Sequence, residues 1–326
     1  MGDKDLLAKQ YLAQNDVFAD AFNFFLFDGK KVIKPKELEE QDATELAVIQ
    51  KMKTVFSNQK MRDVLKLCTI KHSKLATLVL LGIEAQSNVH YAMPVRDYLY
   101  DALNYASQVE AIRKKHSEDK DLKGDEYISG FSKKDRIIPV ITLCICLDKK
   151  KWDAPRSLFD MFGEVDPRIR EYVDDYKLNL ITPDEIDDFT KFNSQLGILL
   201  EFIHNSDDKD KLRDIINTRK EYTSVDVRTV NMINLFTSAN ISVDNAKGGQ
   251  VDMCQAIQGI IEDSRAEGHA EGHAKGRAEG RAEGADMLAE LLKVLKPGSD
   301  EFNKALNATE AERQELYKKY NITSKK

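Results

Sequence analysis

No stretch of this 326-residue chain approaches the ~20 consecutive apolar residues that a bilayer-spanning helix needs. The opening residues, Met1-Gly2-Asp3-Lys4-Asp5, lack the basic-then-apolar pattern of a signal peptide. Leu6 also breaks the Ser/Thr requirement of a myristoylation motif, so a soluble, cytoplasmic protein with no membrane partner is expected. Cysteine is scarce, limited to Cys68, Cys144, Cys146 and Cys254. Three of the four lie in apolar, strand-like runs, which suits buried free thiols in a reducing compartment better than disulfides. The six histidines show no zinc-ligand spacing with these cysteines. A strong basic stripe is also missing. Net charge is −6, a mild argument against nucleic-acid binding, but it is unevenly spread. Residues 1–150 hold 24 Lys/Arg against 22 Asp/Glu, and the remainder holds 25 against 33. Clusters at Lys30-Lys31, Arg113-Lys114-Lys115 and Lys149-Lys150-Lys151 permit contact with a phosphate backbone without demanding it.

What is present is a dense apolar run, Leu78-Val79-Leu80-Leu81-Gly82-Ile83, followed by Glu84-Ala85-Gln86. A run that apolar, bounded by polar residues, reads as a central strand buried on both faces. Alternation along a strand points Glu84 and Gln86 the same way. A carboxylate at the mouth of such a strand is costly unless a cation meets it, and the candidates are a metal ion or an arginine. Upstream, Arg62 to Cys68 reads as a second strand, with the polar Thr69–Lys74 stretch as a hairpin turn. Cross-strand partners in a hairpin have a constant sum of positions, and an even loop makes that sum odd. Asp63 and Glu84 then share a face within reach of one ion, whereas an odd loop separates them. Two carboxylates and an amide converging on one point suit a hard, oxygen-seeking ion, Mg²⁺ or Mn²⁺.

Arg62-Asp63-Val64-Leu65-Lys66, Gly82-Ile83-Glu84-Ala85-Gln86 and Tyr91-Ala92-Met93-Pro94-Val95-Arg96 follow one another in an order and spacing that resemble the PD-(D/E)XK nuclease superfamily. More narrowly, they resemble its recombination-promoting nuclease, transposase-like family. The resemblance extends over Phe18–Asn23, Leu99–Leu103, Trp152–Leu158 and the glycine-punctuated tail. It implies an α/β fold with an αβββαβ core, and a metal-dependent DNA endonuclease linked to recombination or mobile elements. Asp63 and Glu84 would be its metal ligands, Gln86 would take the place usually held by lysine, and Asp20, or Asp16 one turn away, would assist from the first helix. Arg stands at position 62 where the motif name has Pro. Gln86 can orient a water by hydrogen bonding but cannot supply a cation. After the Pro94 helix start, Arg96, Tyr100 and Asn104 form a stripe that would bind a DNA phosphate or brace Gln86. The bland readings are that Arg96 pairs with a nearby acid, that Asp16 and Asp20 are solvated helix acids, and that the polar cluster belongs to a silent nuclease fold acting as an interaction module.

Periodicity predicts a helix over 5–27, an extended piece near Val32-Ile33, a helical region from Asp42 to Phe56, a helix over 94–115 and a strand over Ile137–Leu147. Asp175–Ile181 reads as a final short strand. Thr182-Pro183-Asp184-Glu185 has the pattern of a capped helix start, with helices over 184–205, 208–220 (capped by Ser206) and 225–239. The expected division is a nuclease-like core at 1–150, a mostly helical region at 151–263 that completes the core or forms a dimer or partner surface, and a tail at 264–326. The tail repeats with period four. Ala266, Ala270, Ala274, Ala278 and Ala282 form one column and Gly268, Gly272, Gly276, Gly280 and Gly284 another. The Gly/Ala columns would let two such helices approach closely, as in a homodimer, whereas five glycines at about 1 kcal/mol each favour a flexible, marginally helical linker. A short amphipathic helix through Leu288–Leu295 follows, ended by Pro297-Gly298.

Overall fold

The computed structural model describes residues 3–40, 64–72 and 75–322. The expected helical region from Asp42 to Phe56 lies outside them, and so does Asp63. The chain divides into two compact units, 1–256 and 257–326. The expected boundary at 150 therefore falls inside the first unit. No helix among the described residues is long and apolar enough to cross a membrane.

The first unit is an α/β structure built on a mixed five-stranded sheet in the order β1-β2-β3-β4-β5. These strands are β1 (Leu38–Glu40), β2 (Val64–His72), β3 (Leu75–Gln86), β4 (Val140–Cys146) and β5 (Leu180–Ile181). The first three are antiparallel, and β3, β4 and β5 run parallel. The β2–β3 register runs from Val64 opposite Ile83 to His72 opposite Leu75, so the loop is even and the paired positions have an odd sum. The expected turn at 69–74 is shorter, because Thr69 and Ile70 continue the ladder opposite Leu78 and Thr77. Their β-branched side chains favour the pleated surface over a turn. At the other end of the chain's first segment, Val32 and Ile33 are not a strand. The Asn23 side chain accepts from both amides, at 3.1 and 2.8 Å, and donates to the Ile33 carbonyl at 2.8 Å.

The single helix expected over 5–27 is two, α1 (Asp3–Leu12) and α2 (Asn15–Phe27), with Gln14 extended between them. Lys66 explains the break. It lies on β2, is buried, donates to the Ala13 carbonyl at 2.7 Å and to the Asn15 side-chain oxygen, and stands over the Phe18 ring. An ammonium at a helix C-terminus satisfies carbonyls that the helix leaves open. After α2 the chain turns through Asp28 and Gly29 at positive φ. A Cβ on Gly29 would collide with the Lys191 carbonyl, so glycine is needed there for space as well as conformation.

Between β3 and β4 runs α3 (Met93–Asp119), the crossover that a parallel pair requires. Tyr105 accepts from the Val140 amide at 3.1 Å. Gln108 both donates to the Ile138 carbonyl and accepts from its amide, at 3.0 and 2.6 Å. Lys66 faces α1 and α2 while Glu84 faces α3, so helices cover both sheet faces. Leu81, Ile83, Glu84, Cys144 and Ile145 are accordingly all buried, as expected of a central pair.

Short helices at Gly124–Ser129, Leu158–Met161 and Pro167–Arg170 are followed by three longer ones, α4 (Leu196–Asn205), α5 (Lys209–Thr218) and α6 (Val227–Thr237). The helix expected from 184 begins only at Leu196. Pro183–Glu185 is a single tight turn whose Thr182 side chain forms no cap. The cap of α5 is Asp208, which accepts from the Lys211 amide at 3.0 Å, rather than Ser206, whose backbone is still helical. A short ladder of β6 (Val225–Asp226) and β7 (Gln250–Val251) flanks α6. Tyr11 hydrogen-bonds Thr229 at 3.0 Å, tying α1 to α6.

The glycine-punctuated tail is part of one continuous helix, α7 (Met253–Val294), instead of a flexible linker. In the second unit, Leu291 and Leu295 of α7 pack with Ala305 of α8 (Asp300–Asn307) and with Leu316 and Tyr317 of α9 (Glu310–Lys319). Thr309 and Glu312 close a capping box at the start of α9.

Candidate functional site

Glu84 and Gln86 stand at the carboxyl end of β3 on one face, in register with Cys144 and Cys146 of β4. Glu84 is fully buried. Its Oε2 accepts from Arg96 Nη2 at 3.0 Å, and Arg96 keeps a quarter of its side chain exposed. Arg96 Nε donates to the Tyr100 hydroxyl at 3.2 Å, so the α3 stripe holds the guanidinium from behind. Of the two cations that sequence leaves open for Glu84, the described residues supply the arginine. Gln86 is buried at the mouth of the strand, and its backbone carbonyl accepts from the Leu147 amide at 2.8 Å. Asn104, the third member of the stripe, donates to the Tyr100 carbonyl at 2.9 Å.

Asp20 is buried by α4's approach. It accepts from the Asn193 amide at 2.8 and 2.9 Å, the Ser194 amide at 2.7 Å and the Ser194 hydroxyl at 2.7 Å. These donors account for its burial and make it the anchor of the 193–194 turn. Asp16 is exposed. Asp63, the other expected metal ligand, lies outside the described residues.

Other residues at this end of the sheet are not among the expected site residues. Asp101 accepts from Thr142 on β4 and from Tyr176 Oη at 2.7 Å, fixing α3 against the strands. His90 lies in the loop before α3, and its Nδ1 accepts from the Ala92 amide at 3.3 Å. Burial lowers its pKa below the usual imidazole value, and the Arg96 charge lowers it further. Burial raises the Cys144 thiol well above its ordinary pKa, reinforced by Asp97, Cys146 and Glu84 and opposed by Arg96. Burial pushes Cys146 up to about 11. Both sulfurs are therefore protonated at neutral pH and act as small apolar groups beside Met93 and Trp152.

Among the described residues, no group of three or more His, Cys, Asp and Glu is placed to hold a metal ion. The Glu84 carboxylate and the Gln86 amide are hard oxygen donors on one face, the type that Mg²⁺ or Mn²⁺ prefers. Arg96 holds one of the two Glu84 oxygens. Compared with known proteins, the chain matches no family model, no curated protein and no solved structure.

Proposed function

We propose that this chain is a metal-dependent hydrolase of phosphodiester bonds with a PD-(D/E)XK-type core, acting as a DNA endonuclease linked to recombination or mobile elements. One observation carries the reading: a fully buried Glu84 with Gln86 on the same face, at the open end of a central strand, next to an arginine on the crossover helix. Support also comes from the order of helices, three antiparallel strands, crossover helix and parallel strand, and from the even β2–β3 loop. In this reading Asp63 and Glu84 hold the ion. Bound Mg²⁺ or Mn²⁺ would supply an activated water and offset charge on the phosphate. Gln86 orients the water through its amide. Arg96, braced by Tyr100, would bind a phosphate oxygen in place of Glu84.

The second reading is a silent nuclease fold that binds DNA or protein, and the Glu84–Arg96 pair favours it, since the carboxylate already has its cation. Plasmid nicking by the purified full chain with Mg²⁺, Mn²⁺ or EDTA separates the two. The hydrolase reading expects nicking with either ion, none with EDTA and none from Glu84→Ala. A wild-type chain inert with both ions, or a Glu84→Ala chain as active as wild type, refutes it.

A further inference from the structure

Residues 159–175 leave the first unit as a finger closed at its base. Leu158 donates to the Tyr176 carbonyl at 3.0 Å and Leu178 to the Arg156 carbonyl at 2.7 Å, while Phe159 N donates to the Asp175 side chain at 3.1 Å. Tyr176 at the base packs against Tyr98 of α3 with the rings tilted, centroids 5.1 Å apart. The tip is ordered by its own backbone. Asp166 caps a helical turn at Pro167–Arg170, Ile169 and Arg170 donate to the Asp166 carbonyl, and Tyr172 donates to that of Ile169. Residues 162–174 are nevertheless all exposed.

The exposed side chains are unusual for a solvated loop. Tyr172 is 89% exposed and Ile169 60%, with Phe162, Val165 and Val173 exposed beside them. Such a concentration of exposed apolar surface marks a contact site. Interspersed are Asp160, Glu164, Asp166, Glu171, Asp174 and Asp175 against only Arg168 and Arg170. Both arginines are engaged within the finger: Arg168 closes on Asp166 at 2.7 Å, and Arg170 lies 4.2 Å from the Phe159 ring centroid. The outward charge is therefore negative. A DNA backbone would be repelled, whereas a basic partner would be attracted.

We infer that the finger is a docking surface for a protein segment that carries lysine or arginine between apolar anchors, with Ile169 and Tyr172 as the contacts that dominate binding. A rigid aromatic with little entropy to lose is the kind of residue that does so, and the local hydrogen bonds pre-form the surface. This inference stands apart from the proposed hydrolysis.

The test is fluorescence anisotropy with the full chain and three short labelled synthetic peptides: Lys/Leu, Glu/Leu and Lys/Ser repeats. The Lys/Leu peptide should bind, weaken with added salt, and lose about tenfold or more in affinity in both Ile169→Ser/Tyr172→Ser and Glu171→Lys/Asp174→Lys. These positions are exposed, so circular dichroism should be unchanged. Failure of the Lys/Leu peptide to bind, equal affinity in both variants, or equal binding of the Lys/Ser peptide would overturn the inference. So would a labelled oligonucleotide whose binding is lost in Ile169→Ser/Tyr172→Ser, since the finger would then belong to nucleic acid.

Discussion

Replacing Arg96 with methionine keeps an unbranched apolar stem against Tyr100 and removes the guanidinium that meets Glu84. Glu84 has no exposed side-chain surface, so its carboxylate would be left in the sheet–helix interface without the 3.0 Å partner. Removing one partner of a buried pair typically costs ~3–5 kcal/mol. Arg96 is a quarter exposed, which lets water reach the vacated end, so the lower figure of about 3 kcal/mol is expected. The chain has a single tryptophan, and Trp152 is buried in the cluster with Met93, Cys144 and Cys146 on this same face. Urea denaturation followed by Trp152 fluorescence therefore reports the unit in question, and the midpoint should fall by about 1 M. Glu84→Gln, which leaves the partly exposed Arg96 to water, should cost less than Arg96→Met. A variant within 0.5 kcal/mol of wild type, on the scale of ordinary surface substitutions, would refute the pairing as the means by which Glu84 is tolerated.

Asp20→Ala removes the acceptor of two amides and a hydroxyl and should cost roughly 2–3 kcal/mol by the same denaturation assay; loss of nicking in a variant of wild-type stability would instead give Asp20 a role in chemistry. His116 bridges Asp121 at 2.7 Å and Asp135 at 2.9 Å, and these carboxylates raise its pKa above the usual 6.5. Protection of the 121–135 amides from hydrogen exchange should be present below that value and decline as pH rises through the folded-state pKa; NMR titration of the His116 ring at or below 6.5 would contradict it. Gln86→Lys should retain metal-dependent nicking and Gln86→Leu should lose it, and a fully active Gln86→Leu chain would remove Gln86 from the mechanism. Truncation after Asp263 should leave the Trp152 transition in place, because the five-stranded sheet and its helices lie within 1–256; an altered midpoint would mean that the second unit supports the first.

The parts legible in the sequence are those set by local pattern. The dense apolar run ending at Ile83 specified a central strand, and alternation put Glu84 and Gln86 on one face. The stripe of Arg96, Tyr100 and Asn104 was readable from helical spacing, but the partner of Arg96 was not, because a helix position says nothing about which strand it meets. Asp20 shows the same limit more sharply. Its donors are 173 and 174 residues away in sequence, and nothing local marks an acid destined for a distant turn. The break between α1 and α2 contains no glycine or proline to announce it, since it is fixed by Lys66 from the neighbouring sheet. For the tail, counting glycine penalties favoured a flexible linker. The intervening Ala, Glu, Lys and Arg are strong helix formers, and packing at Leu291 and Leu295 anchors the far end, so the helix runs through.

These limits bear on how the candidate site can work. A carboxylate buried at the end of β3 requires a positive charge, and Arg96 meets that requirement in the absence of any ion. Under the proposed function, metal binding at Glu84 would be a competition, its affinity the difference between ion–carboxylate attraction and the loss of the guanidinium hydrogen bond. Two features lower the cost of releasing Arg96. Its side chain reaches solvent, and the Tyr100 hydroxyl retains Nε when the terminal nitrogen lets go. An arginine so held is available to a phosphate oxygen as soon as Glu84 is otherwise engaged, whereas a fully enclosed pair would keep the site shut. Direct Mn²⁺ titration of wild type against Arg96→Met measures that difference. Tighter binding in the variant is the signature of a competing arginine in a working metal site, and no binding in either chain refutes a metal site at Glu84.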